Sequence, residues 1–381
     1  MQTTSQTIVD SPHRSLRVCF ISLSAYPLFN PDIQAVFGGA EVDLYLLATE
    51  LAADPRFDVR FVVGDYGQPP IEQRQNVMLI KSLDVRRSYF FNVRKIWKAL
   101  RQADADIYVQ EACSLLTTTI ALFCKLRHRR FVYRTASNNE TNGTYFRRHP
   151  FRGWLVRWAF RAADTRIVQN QEDQRRFSNI GLESTMIRNA CRLREVKPAR
   201  REFVLWVGRS EQVKRPDLFI QLAQSIPDIS FLMICSRAAR DEHYENLVHL
   251  AASVPNLKFI PGLPFEQIEA FFEKAILYIN TSDSEGFPNT FVQACKSGTP
   301  ILSLNINPDD FLNRHQCGLC ARGDWGEFLK MARQMLMLET AAKLGQNGRL
   351  YAEKNHDIKQ IIEVYKTLFL NRPGRGNYAP A

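Results

Sequence analysis

Short apolar runs alternate with amphipathic stretches along almost the whole chain. LRVCFISL, from Leu16, predicts a buried strand, and a helical pattern follows from Ala40 to Ala53. DVRFVVG from Asp58 and VMLIKSL from Val77 predict two more strands, with a helix near Val93 to Gln102. DIYVQ, FVYRTA, TRIVQN and TMIRNA predict short strands with helical segments between most of them. These runs are rich in β-branched residues and apolar on both faces, as strands covered from both sides are. Between Cys191 and Glu202 the pattern gives way to a polar, arginine-rich segment containing Pro198, which reads as a linker. A second series begins with FVLWVG, a helix from Pro216, ISFLMIC, a helix from Asp241 and LKFIPG. It continues with a helix from Pro264, LYINTS, a helix from Pro288 and PILSLN. Helices near Trp325 to Leu336, Ala341 to Asn355 and Ile358 to Leu370 complete it.

The fold class expected from this alternation is α/β: two Rossmann-like, doubly wound domains in tandem, facing each other across a cleft. The expected division is 1–194, 195–356, a C-terminal helix at 357–371 and a disordered tail at 372–381. A length of 381 residues suits two cores. Open sheets of this kind bind ligands at the carboxyl ends of their strands, so the cleft is the place to look for chemistry.

Composition excludes several classes. The apolar fraction of 45% is that of a globular protein. The most apolar stretch, Cys113 to Cys124, is interrupted by threonines and falls short of the roughly 20 residues that span a bilayer, so it predicts a core helix. MQTTSQTIVDSPHRS lacks the basic start and apolar run of a signal peptide, and the expected location is cytoplasmic. Eight scattered cysteines do not form a disulfide framework. Cys317 and Cys320, with His315 nearby, have C-x-x-C spacing, but no second ligand pair completes a zinc site. Asp104 and Asp106 form a D-x-D directly before a strand and read as polar strand caps. Charge is lopsided: 28 Lys and Arg against 18 Asp and Glu up to Arg194, and 22 against 21 after it. The excess gathers between Arg86 and Arg176 and attracts phosphate, nucleic acid or an acidic membrane leaflet, unless it is merely a solvated face. No nucleic-acid module with interleaved aromatics accompanies it.

Three segments carry candidate chemistry. In SDSEGFPNTFVQACKSGTP a strand, a glycine turn and a helix opened by Pro288 make an anion site. The N–H groups of Gly286, Phe287, Asn289 and Thr290 are free there, Glu285 precedes the turn, and Gln293 is expected about two helical turns inside the helix. In VLWVGRSEQVKRPDLF, Gly208 and Arg209 end a strand and Lys214 precedes a helix. Two cations at a strand mouth suit a diphosphate, with Arg able to bind it bidentately, although a solvated loop would look similar. In VFGGAEVDL, Gly38 and Gly39 permit close backbone approach at a helix N-terminus, and a plain flexible turn accounts for them equally well.

The ordered set GGAE, VGR…K, FIPG, SEGFPNTFVQA and SGTPIL resembles the retaining GT-B glycosyltransferases of glycosyltransferase family 4 over nearly the whole chain, more convincingly in its second half. The family's Glu-x7-Glu signature stands here as Glu285-x7-Gln293. The resemblance implies that Glu285 contacts the donor sugar hydroxyls, that Arg209 and Lys214 hold the diphosphate, and that Gly38 and Gly39 approach phosphate and sugar. It places the nucleobase near Phe259, Gly262 and Leu263, mostly through backbone, and the final helix across the N-terminal domain. It also puts CGLC in an apolar structural segment.

The implied reaction moves a hexose-type sugar with retention from a nucleotide-diphosphate sugar to a glycan or lipid-linked acceptor, as in bacterial cell-surface polysaccharide assembly. No metal or other cofactor and no nucleic acid is implied, and the basic N-terminal domain suggests peripheral contact with an anionic membrane. Two departures stand out. The ribose-holding Glu is Gln293, which keeps a hydrogen bond but loses its charge assistance, worth about 1–2 kcal/mol of donor binding. The family histidine after an N-domain strand is absent: Thr135, Ser137 and Asn138 stand in that region, and His149 reads as a surface or packing residue. The competing readings are a non-catalytic anion-binding protein or a nucleotide-sugar epimerase on the same fold.

Overall fold

The computed structural model describes residues 14–371 except 34, 85–92, 196–199, 239–240 and 338–339. The N-terminal segment, Pro198 of the linker and the tail 372–381 therefore lie outside the described residues.

The N-terminal lobe holds eight strands: β1 (Leu16–Ile21), β2 (Phe57–Val63), β3 (Ile71–Arg74), β4 (Val77–Lys81), β5 (Ile107–Glu111), β6 (Arg130–Arg134), β7 (Thr165–Val168) and β8 (Thr185–Met186). They lie in the order β3-β4-β2-β1-β5-β6-β7-β8. All neighbours pair in parallel except β3, which runs antiparallel to β4 at the edge. The C-terminal lobe holds β9 (Phe203–Arg209), β10 (Phe231–Ser236), β11 (Leu257–Pro261), β12 (Ala275–Asn280), β13 (Ile301–Ser303) and β14 (Gly318–Cys320), in the order β11-β10-β9-β12-β13-β14. Both sheets reverse strand order beside their first strand, between β1 and β5 and between β9 and β12. A crevice opens at such a reversal because the helices after the two strands leave to opposite faces.

The central strands are buried on both faces, which is why they read as continuous apolar runs: Val18 to Ile21 and Ile107 to Val109 are at most 1% exposed. Apolar clusters cover both faces of each sheet. Edge strand β3 (IEQR) and the three-residue β14 escaped the hydrophobic pattern, the first because an exposed edge is polar and the second because it is too short. The helix expected from Asp241 begins at Tyr244. The apolar run at Cys113 lies mostly in helix Leu115–Arg127, where Ser114 caps the first turn. The D-x-D carboxylates are structural: Asp106 accepts the Arg17 N–H at 3.0 Å, and Asp104 and Asp106 pair with Arg17 and Arg129.

The chain crosses between lobes twice, and the crossings are joined. Cys191 N–H donates to His356 O at 2.8 Å and Ile358 N–H to Cys191 O at 3.0 Å. Helix Ile358–Leu370 then buries Ile358, Ile361, Ile362, Tyr365 and Phe369 in the same cluster as helix Gly39–Leu51. Arg130 donates to the carbonyls of Phe369 at 2.7 Å and Leu368 at 3.0 Å, and Lys366 pairs with Asp54 at 3.0 Å. The last helix is thus an integral part of the N-terminal lobe.

Candidate active site

Three loops meet at the two sheet reversals. The loop after β9 carries Arg209 and Lys214, and the loop after β12 carries Glu285 to Asn289. The loop between β1 and helix Gly39–Leu51 brings Gly38 and Gly39 from the other lobe. Loops after β9 and β12 are tied together by Asp283 N–H on Val213 O and Thr281 Oγ1 on Lys214 O, both at 2.8 Å. Lys214 Nζ consequently reaches the Glu285 carboxylate at 2.5 Å, immediately before Gly286. Ser282 Oγ donates to the same Glu285 oxygen at 2.8 Å. Arg209, on the other side, pairs with Glu211 at 3.1 Å and lies against Gly38, where an added Cβ would sit 3.6 Å from its guanidinium carbon.

The glycines are set by close approach. Gly38 N–H donates to Glu41 Oε2 at 2.7 Å, and Ser22 Oγ supports the other Glu41 oxygen at 3.2 Å, which holds the loop at the helix start. A Cβ on Gly39 would lie 2.9 Å from Asn289 Nδ2, which itself donates to Gly39 O at 2.9 Å. A Cβ on Gly286 would meet Ala136 O at 3.0 Å. Both turns therefore run backbone against the opposite lobe, leaving no room for a side chain. Helix Asn289–Lys296 starts at Pro288, and among the described residues the N–H groups of Gly286, Phe287, Asn289 and Thr290 have no protein acceptor. Lys214 and Arg209, each paired with a carboxylate, and the row of free amides lie at neighbouring loop ends, where an anion could displace Glu285 and Glu211.

The remaining sequence candidates lie beside these loops or away from them. Gly208 has no space for a side chain, since a Cβ would sit 2.7 Å from the Trp206 ring. Gly262, at φ +25°, turns the chain after β11 and gives its N–H to Cys235 O at 3.1 Å. Phe259 turns its ring onto Tyr244, 6.1 Å between centroids, and Leu263 packs on the lobe's apolar core, so backbone is what this segment offers a ligand. Gln293 lies about one turn, not two, inside its helix, because the helix begins only at Asn289; it is buried on the Asn289 face and lines a crevice with Asp43, Arg192, Glu266 and Lys296. His149 is exposed, its ring beside Tyr145. The thiols of Cys317 and Cys320 rest on the carbonyls of Phe311 and Leu304, and the His315 ring lies tilted against Tyr351.

Sequence reasoning missed the buried polar frame behind this site. Arg134, at the end of β6, is 1% exposed and donates to Asp43 at 2.9 Å, Glu111 at 2.8 Å and Asn189 Oδ1 at 2.8 Å. Asn189 in turn donates to Phe287 O at 3.0 Å and to Asn289 Oδ1, so one side chain joins the N-terminal core to the anion turn. Gln169 links Glu111 to Thr135 O. Burial pushes the carboxyls of Glu111 and Asp43 up against the pull of Arg134, whose guanidinium is held charged between them. His356 presents Nδ1 to Asn189 O at 2.7 Å, which makes that nitrogen the donor, and burial lowers its pKa to about 3, so the ring is neutral.

Glu140, in the loop after β6, accepts from Tyr133 OH and from the Ala136 N–H at 3.2 Å, and burial raises its carboxyl to about 7. It props the segment that faces Gly286, where Thr135, Ser137 and Asn138 stand in place of the family histidine. Asp309 crosses in the opposite sense, as Asn289 does, its carboxylate taking the Gln171 N–H at 2.9 Å at the start of helix Gln171–Asn179. Apart from the contacts of Glu140 with Tyr133 and Ala136, these polar partners lie far apart in sequence and so have no spacing signature.

Residues 37–193 match the family model described as Glycosyltransferase Family 4, and residues 190–351 match Glycosyl transferases group 1. An uncharacterized glycosyltransferase of Haemophilus influenzae is 21% identical over 348 residues, 86% of this chain and 95% of that one. Sucrose-phosphate synthase from Thermosynechococcus elongatus superposes with a TM-score of 0.76 at 16% identity, over 93% of this chain and 99% of that one. Anabaena Alr3699/HepE in complex with UDP and glucose superposes with a TM-score of 0.71 at 18% identity, over 93% and 100%. These structures share the two-lobed architecture. With the two family matches running consecutively from residue 37 to 351, the chain is a GT-B glycosyltransferase. Its N-terminal lobe is of the family 4 type and its C-terminal lobe of the group 1 type.

Proposed function

We propose that this chain transfers a hexose-type sugar, with retention, from a nucleotide-diphosphate sugar to a glycan or lipid-linked acceptor in bacterial cell-surface polysaccharide synthesis. The observation that carries the donor assignment is the convergence of Lys214, Arg209 and the free amides of Gly286 to Thr290 on one side of the cleft. Such a site holds a diphosphate and stabilises it as it leaves. The neighbour bound to UDP and glucose supports the same ligand class.

In this reading Lys214 exchanges the Glu285 carboxylate for a phosphate oxygen when donor binds, and Glu285 is then free to accept from sugar hydroxyls. Arg209 meets the diphosphate from the Gly38 side. The N-terminal lobe supplies the acceptor, the hydroxyl attacks the face from which the phosphate departs, and a phosphate oxygen takes the proton. Gln293 faces the crevice where the ribose would lie and offers it an uncharged partner. The two side-chain cations carry the charge stabilisation, so the reaction is expected to need no metal ion. Closure of the two lobes over bound donor would exclude water from the reacting centre.

A thermal-shift screen with UDP-, GDP- and ADP-sugars tests donor binding, because a ligand at 100 times its Kd adds about 2.7 kcal/mol of stability. Stabilisation by one nucleotide series, followed by anomeric analysis of product from labelled donor, is the expected result. No stabilisation by any nucleotide would remove the donor assignment.

A further inference from the structure

Helix Pro150–Ala162 is apolar on two opposite faces: one is buried in the lobe, and on the other Trp158 is half-buried against the lobe while Phe151 and Trp154 stand exposed. Gly153, Val156, Ala159 and Phe160 are buried in the N-terminal lobe. The outer face repeats at i, i+3, i+4 and i+7 as Phe151, Trp154, Leu155 and Trp158. Phe151 is 76% exposed and Trp154 67%. Helix Leu115–Arg127 lies alongside, joined by Lys125 Nζ over the Trp158 ring at 5.7 Å, and adds Leu126 at 60% exposure and Leu122 at 43%.

The charge around this patch is of one sign. Helices Leu115–Arg127, Thr144–Arg148 and Pro150–Ala162 carry seven Lys and Arg side chains, all exposed, and no Asp or Glu. Among the described residues none of the seven is in an ion pair; Arg157 lies over the Phe146 ring instead. Large exposed aromatics ringed by unpaired arginines match the boundary between acyl chains and anionic headgroups, where the rings enter the apolar layer and the cations meet phosphate. A duplex or single strand would use the arginines but leave most of the leucine surface wet.

We infer that the outer face of helices Leu115–Arg127 and Pro150–Ala162 docks on an anionic lipid bilayer. Helix Pro150–Ala162 connects β6 to the parallel strand β7, so its Phe151 end lies toward the strand ends that face the cleft. A docked molecule therefore holds the cleft at the lipid surface. Delivery of a lipid-linked acceptor there rests on the proposed sugar transfer; the docking itself does not.

The test is co-sedimentation of the full chain with phosphatidylcholine vesicles, with and without phosphatidylglycerol. Binding to the anionic vesicles and little to the neutral ones is expected, falling as salt rises. Phe151→Ser with Trp154→Ser should lower the partition coefficient at least about tenfold. Arg152→Gln and Arg161→Gln should each lower it about fivefold. All four positions are exposed, so melting temperature and nucleotide-sugar binding should stay at their original values; lost nucleotide binding in the unaltered chain would count against the donor site and not against docking. Equal binding to both vesicle types, or partition indifferent to both sets of substitutions, overturns the proposal. A dimer seen by light scattering and abolished by the Phe151/Trp154 pair would assign the face to a second copy instead. Retention of an oligonucleotide that depends on the same residues, with no vesicle binding, would assign it to nucleic acid.

Discussion

Replacing Arg134 by methionine should expose how the buried polar frame stands behind the anion turn. The guanidinium is the single cation bonded to Asp43 at 2.9 Å and Glu111 at 2.8 Å, with all three side chains at most 2% exposed. Methionine fills much of the same length, so the change removes charge and hydrogen bonds more than volume. Breaking a buried pair by removing one partner destabilises by about 3–5 kcal/mol, because the remaining charge has no solvent to turn to. Here two carboxyls are left, and they relieve the loss by taking up protons. Their folded-state pKa values are already raised by burial in the unaltered protein, and loss of Arg134 raises them further.

The sign follows from linkage. A carboxyl whose folded pKa lies above its unfolded value near 4 stabilises the fold below that value and loses this contribution as pH rises, by about 1.4 kcal/mol per unit and per proton. The deficit of the Arg134→Met variant should therefore be largest near pH 8 and should shrink toward pH 5. Urea unfolding at the two pH values measures it. Adding Asp43→Asn and Glu111→Gln should recover most of the loss at pH 8. The variant should also bind nucleoside diphosphate more weakly, since Asn189 loses the Arg134 bond that orients it toward Phe287 and Asn289. A deficit below about 1 kcal/mol at pH 8, or one unchanged between the two pH values, would refute the reasoning.

Other outcomes follow from single contacts. Lys214→Ala should weaken nucleoside diphosphate binding by about 10- to 150-fold, the worth of one charge-assisted hydrogen bond, when read by calorimetry. Its effect on folding should stay within about 1 kcal/mol, because the pair with Glu285 is partly solvated. Glu140→Gln should flatten the stability profile above pH 5: a carboxyl raised to about 7 loses its stabilising contribution as pH climbs through that value, about 3 kcal/mol in all, and the amide does not titrate. Gly39→Val should abolish transfer with labelled donor, as its Cβ would drive Asn289 away from the loop. Transfer should proceed at full rate in excess EDTA if Arg209 and Lys214 supply the charge stabilisation.

The sequence alone specified what is local. Strand and helix positions followed from hydrophobic period, since β1, β9 and β12 are buried on both faces and the neighbouring helices bury one stripe. The anion turn was legible because Gly286, Pro288 and the helix behind them are contiguous, and a glycine turn opening a helix leaves its amides free wherever it occurs. What the pattern could not carry is pairing across the fold. Edge strand β3 and short β14 became strands only through a neighbour's hydrogen bonds. Arg134, Asn189, Glu111 and Asp43 look like surface residues in the sequence, and their burial is decided by four distant segments closing around them. The proximity of Gly38 to Arg209 and of Gly39 to Asn289 likewise required two lobes to be set face to face. Local periodicity is fixed by backbone geometry residue by residue, whereas the chemistry of a cleft depends on contacts whose partners the chain brings together only after both lobes are built.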